Sequence, residues 1–141
     1  MTVIGSRKRG YINAEGCNVK LVIRRLKCKR CVEIHHELPD ILVPYKRHCS
    51  ETVEQIVDEK TEDVCCEDSA IRKIKQWFID KEQYFTGCLV SVASRHGAAL
   101  SANTISLLRK MRENGGWLKR VVRIVTNSNL WVHTRSAYLT N

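Results

Sequence analysis

"RKRGYINAEGCNVKLVIRRLKC", from Arg7 to Cys28, is the stretch whose reading decides the fold. The turn-forming residues Asn13 to Gly16 divide it into two arms, and β-branched Val19, Val22 and Ile23 populate the second. That pattern predicts a β-hairpin. Val22 and Arg24 fall on one face of the second arm, Ile23 and Arg25 on the other, so neither face alternates cleanly. A small, half-solvated sheet is therefore expected rather than a sandwich strand. Beyond it, Cys28-Lys-Arg-Cys31 reads as a tight knuckle and Val32 to Leu38 as a returning strand.

Downstream, "LPDILVPYKRHC" carries both prolines of the chain, Pro39 and Pro44. Proline fixes its own φ and disfavours helix at the residue before it, which predicts an extended connector. From Ser50 the period becomes helical. Val53, Ile56 and Val57 mark a helix over 50–60 with Ser50 as its N-cap. Ile71, Ile74, Trp77 and Phe78 mark a second over 68–80, capped by Asp68 or Ser69. Further helices are expected over Tyr84–Gly97, over Ser101–Asn114 and from Gly116 to Thr126, with Gly97 and Gly115 as C′ residues. The apolar end, Leu130 to Leu139, is expected to dock. The fold class is thus α+β and mostly α, with a zinc-ribbon-like β piece over 1–47 and a helical part over 48–141.

Charge is distributed in blocks. Residues 1–47 hold 11 Lys and Arg against 4 Asp and Glu, residues 48–68 hold 1 against 8, and residues 69–141 hold 12 against 3. Two basic segments around an acidic hinge point to a polyanionic partner. The N-terminus has no signal-peptide core and no apolar run is long enough for a membrane span, so a cytoplasmic protein without membrane partners is expected. In such a setting seven cysteines read as thiols or metal ligands rather than disulfides.

Three constellations carry chemistry. Cys28 and Cys31 can occupy two corners of a tetrahedral zinc site, with Cys17, His35, His36, His48 and Cys49 as candidates for the rest; two thiolates alone make a poor site. Plain thiols are the competing reading. A redox role would need a thioredoxin-like βαβ pattern, which is absent. The helices over 50–60 and 68–80 have the outline of a helix-turn-helix. Ser69, Arg72, Lys73 and Gln76 lie on the free face of the second, Arg suited to guanine and Gln to adenine. A solvated helical hairpin is the plainer alternative. Basic clusters at Arg7-Lys8-Arg9, at Arg24, Arg25, Lys27, Lys29 and Arg30, and at Lys119-Arg120 with Arg123 can seat phosphates. No nucleophile elbow, P-loop, His-Glu-x-x-His or metal-binding acidic triad is present, so neither catalysis nor a small-molecule substrate is expected. Cys65 and Cys66, ahead of a helix, could have a lowered thiol pKa but have no partnered base in view.

"IRRLKCKRCVEIHHELPDILVPYKRHCSETVEQIV", "CCEDSAIRKIKQWF" and "GWLKRVVRIVTNSNLWVHTRSAYLT" together resemble a bacterial family known as a domain of unknown function. Its members look like N-terminal parts of transposases, with a zinc ribbon feeding a helix-turn-helix, and associate with mobile elements. The resemblance implies that Cys28 and Cys31 match the second knuckle of the ribbon. The first, which relatives carry just before the segment matching "VIGSRKRG", would then be missing here. The expected function is binding of double-stranded DNA, with RNA as the competing polyanion. A transposase-interacting accessory and a remnant without activity are the alternatives.

Overall fold

The computed structural model describes residues 1–97 and 105–131. The hairpin is present: β1 (Thr2–Ile12) and β2 (Asn18–Lys27) pair antiparallel, and β3 (Ile34–His36) adds on the far side of β2. The sheet order is β1-β2-β3. Gly16 closes the turn at φ 81°, where a side chain would be strained and a Cβ would lie 2.9 Å from that of Cys65.

The proline-bearing connector is no plain extended linker. Leu42 and Val43 are fully buried, and Leu42 bridges to Cys49. The Ile12 amide donates to the Arg47 carbonyl (2.8 Å), and the Cys49 amide donates to the Ile12 carbonyl (2.9 Å). Those bonds clip the hairpin base to the helices, because a buried connector must satisfy its own backbone groups.

Helix α1 spans Ser50–Val57 and α2 Asp68–Arg95; α3 (Ile105–Arg112) and α4 (Trp117–Asn127) follow. The helices expected over 68–80 and 84–97 are one. Phe85, Cys88 and Leu89 continue the buried stripe of Ile74, Trp77 and Phe78, so the polar run between them is merely the outer face. Cap positions move by one: Cys49 precedes α1 and Glu67 precedes α2, while the Ser50 hydroxyl donates to the Asp40 carbonyl (2.9 Å). Gly97 follows α2 at φ 74° as expected. At the next junction Gly116, not Gly115, is left-handed, and it is the N-cap of α4. No helix among the described residues is long and apolar enough to cross a membrane.

The core lies among the four helices and the connector. Val53, Ile56, Trp117, Leu118, Val121 and Val125 are fully enclosed, and edge-on rings join Phe78 to Trp117 at 5.6 Å. Of the tail expected to dock, Trp131 is buried and packs at 5.6 Å from Phe85, and Leu130 packs on the same cluster; residues 132–141 lie outside the described residues. The Glu54 carboxylate accepts from the Gly116 and Leu118 amides at 2.7 and 2.8 Å, so a side chain of α1 satisfies the orphan donors of α4. A smaller cluster of Tyr11, Leu42 and Cys49 seats the hairpin, and Leu38 packs against both clusters.

Candidate nucleic-acid interface

Strand register sorts the basic residues into two faces. Arg7 lies opposite Ile23, Arg9 opposite Leu21, and Arg25 opposite His36. Directly paired residues share a face, as do alternate residues of one strand. Arg7, Arg9, Arg25, Lys27 and His36 therefore project from the same side of the sheet. Among the described residues none of the cations Arg7, Arg9, Arg25 and Lys27 meets a carboxylate; Arg9 donates to the Lys46 carbonyl at 3.3 Å. Their crowding is electrostatically visible. Burial first, then the Arg7 charge, pulls Arg9 below its ordinary pKa. Partial burial, followed by Arg7, Arg25 and Arg9, pulls His36 down likewise.

The other face differs. Arg24 clasps Glu37 with two side-chain bonds, at 3.0 and 2.6 Å. That clasp raises the Arg24 pKa and lowers that of Glu37. Arg24 and Arg25, neighbours in sequence, thus have opposite circumstances, and the five basic residues expected to act together divide. Arg25 and Lys27 join Arg7 and Arg9, Arg24 is engaged, and Lys29 and Arg30 are exposed on the knuckle.

Lys46 links the sheet to α2. Its ammonium lies 4.3 Å from the centre of the Trp77 ring, and burial lowers its pKa. One turn before Trp77 is Lys73, and Arg72 and Ser69 are exposed beside it. The Gln76 amide donates to Asp80 at 2.8 Å, and Lys75, on the flank, pairs with Glu59 at 2.5 Å. The predicted reading face is open to solvent with Gln76 already bonded. The link between α1 and α2 spans ten residues, 58–67, where a short turn was expected.

At the knuckle, Cys28, Cys31 and His35 bring their ligand atoms within 4.8 Å of one another, the single such trio among the described residues. Cys31 Sγ lies 3.2 Å from His35 Nε2. Amides of Cys31 and Arg30 stabilise the Cys28 thiolate and lower its pKa. These three residues could hold a metal ion. Tetrahedral zinc would separate such ligand atoms by about 3.5–3.8 Å, and the donor set suits it.

Other candidate ligands lie elsewhere. Cys49 is buried with its sulfur 3.2 Å from the Thr52 hydroxyl, and His48 Nε2 is 3.5 Å from Cys66 Sγ. Cys66, whose place ahead of a helix could have lowered its pKa, has it raised instead, by burial and then by Glu67. Cys88 is buried in the core.

The family model of DUF6431, a domain of unknown function, matches residues 1–77. The chain belongs to the DUF6431 family. No curated protein and no solved structure is significantly similar to it. The DUF6431 match covers the sheet, the knuckle, α1 and α2 as far as Trp77, so the whole basic band from Arg7 to the Lys46–Trp77 contact belongs to the family unit. Within that unit, sequence reasoning missed His36 and Lys46 as members of the band. His36 was legible in principle, since its alternation with His35 on a strand puts the two rings on opposite faces. The pairing of Lys46 with Trp77 had no local signal, because it joins residues far apart in the chain.

Proposed function

We propose that this DUF6431 protein binds double-stranded DNA through the basic face of its sheet and catalyses no reaction on it. The observation that carries the reading is Arg7, Arg9, Arg25 and Lys27 on one face with no carboxylate partner among the described residues. Unpaired guanidiniums held close together repel one another, and phosphates relieve that repulsion. A two-stranded ribbon also fits the major groove of B-DNA. The sheet would seat the phosphate backbone, while Ser69, Arg72 and Lys73 on α2 approach base edges and Gln76 exchanges Asp80 for a base. Arg24 orients the returning strand through Glu37. Lys29 adds a backbone contact, its loop fixed by zinc on Cys28, Cys31 and His35.

The zinc-knuckle and helix pattern that resembles transposase N-termini makes a mobile-element end or regulatory site the favoured duplex and a transposase the favoured protein partner, in the cytoplasm. Titration of a labelled duplex between about 50 and 200 mM salt tests the proposal. The logarithm of the affinity should fall linearly with that of the salt concentration. Arg7→Gln with Arg25→Gln, two phosphate contacts fewer, should make the slope shallower by about 1.8. Affinity indifferent to salt would overturn the reading, and stronger competition by duplex RNA would move it to RNA.

A further inference from the structure

The basic cluster on α4 has no place in the sheet-centred reading, yet the fold sets it against the knuckle. One cleft is walled on one side by Cys28, Arg30 and His35 and on the other by Lys119, Arg123 and Asn127 of α4. His36 also lines it, so the cleft opens beside the basic face of the sheet. Its two carboxylates are already engaged: Glu37 is held by Arg24, and Asp40 by the Arg123 guanidinium. Arg30 and Lys119 are exposed and form no ion pair among the described residues. The net charge offered to a ligand there is positive.

The helix that walls this cleft is also joined to its predecessor as nucleic-acid-binding helix pairs are. Four residues, 113–116, link α3 to α4, with left-handed Gly116 turning the chain. Buried Trp117, Leu118, Val121, Val122 and Val125 fix α4 by one stripe and leave Lys119, Arg120 and Arg123 outward. Arg120 is spent locally, donating to the Met111 and Asn114 carbonyls at the end of α3 at 3.3 Å each.

We propose that the cleft between the Cys28–Cys31 knuckle and α4 takes a second stretch of DNA phosphate backbone, with Arg30 and Lys119 as its contacts. This rests on the DNA-binding reading above and extends it: the duplex meets the sheet face and the cleft together, and α4 joins α2 as a helix turned toward it. Asn127, farther along the same wall, lies within reach of the strand.

The test compares Arg30→Gln with Lys119→Gln, as a double variant, against the wild-type chain in the same salt titration. Both sites are exposed, so folding is preserved; matching circular dichroism melts check this. The slope should become shallower by about 1.8, because two phosphates are no longer neutralised. A benzophenone side chain at position 127 should crosslink to the duplex. If wild-type protein binds with a salt slope and the double variant follows the same line, the cleft proposal is overturned while the sheet reading stands. Absence of a crosslink from position 127, where one at Lys27 forms, overturns it too. If wild-type protein shows no salt-dependent binding, the underlying reading falls and the cleft with it.

Discussion

His48 shows how one half-buried ring makes the molecule acid-sensitive. Its Nε2 faces Cys66 Sγ at 3.5 Å, and its Nδ1 is buried with no partner among the described residues. The arrangement favours Nε2–H donating to sulfur and a bare Nδ1, since a hydrogen on Nδ1 would have nothing to accept it. Burial, then the Arg47 charge, accordingly pulls the pKa of His48 below its ordinary value. As pH falls, the unfolded chain takes up this proton first, near about 6.5. The stability that neutral His48 supports is complete above that value and is lost as pH drops toward the folded pKa. Urea midpoints measured at pH 7.5 and 5.5 should therefore fall further for wild type than for His48→Gln; equal falls would refute the assignment. The same scale shows what sequence can and cannot disclose. That Arg24 and Arg25 face opposite ways follows from strand geometry alone. That Glu37 claims Arg24 depends on the length of the knuckle, which sets the register of β3, and no local pattern encodes it.

Among elements, the knuckle was the most legible and α2 the least. Two cysteines at a tight turn could serve as a ligand pair, and His35 was one of five candidates for a third. The fold selects it because β3 runs antiparallel to β2, with His35 opposite Leu26, which carries its ring back over the turn. Helix α2 was read as two because Asp80 to Gln83 interrupts the apolar stripe, but helical sequences tolerate a polar turn where an outer face comes round, and Phe85 resumes the stripe seven residues after Phe78. Helix α4 owes its start to Glu54, remote in sequence and therefore invisible to capping rules. One expectation belongs here. Cobalt(II), as a spectroscopic substitute for zinc, should bind at one equivalent with thiolate charge-transfer absorption, and His35→Ala should weaken it about 10-fold or more. Unchanged affinity in that variant would remove His35 from the ligand set. Chelation should also weaken DNA binding by loosening the loop that carries Lys29 and Arg30.

The whole molecule separates where it is stable from where it is charged. Its main cluster draws on the connector, all four helices and Trp131, whereas the hairpin is seated on the smaller cluster of Tyr11, Leu42 and Cys49 and by backbone bonds at Ile12. The hairpin nonetheless carries cations that meet no carboxylate among the described residues. Ile23, 2% exposed and opposite Arg7, is sheltered on a face otherwise rich in arginine, whose aliphatic stems can cover it. Truncating those arginines to alanine would thus mix lost packing with lost charge, and glutamine, which keeps part of the stem, separates the two. Arg7→Gln with Arg25→Gln should shift unfolding by no more than about 0.5 kcal/mol, because surface changes away from caps and cavities rarely do more. Leu118→Ala, which empties a fully enclosed site on α4, should cost about 2–5 kcal/mol. Urea unfolding of the three proteins at neutral pH decides the matter. Should the arginine pair prove as costly as Leu118, the basic face would be part of the structural core, and its cations would be held by the fold rather than offered to a partner.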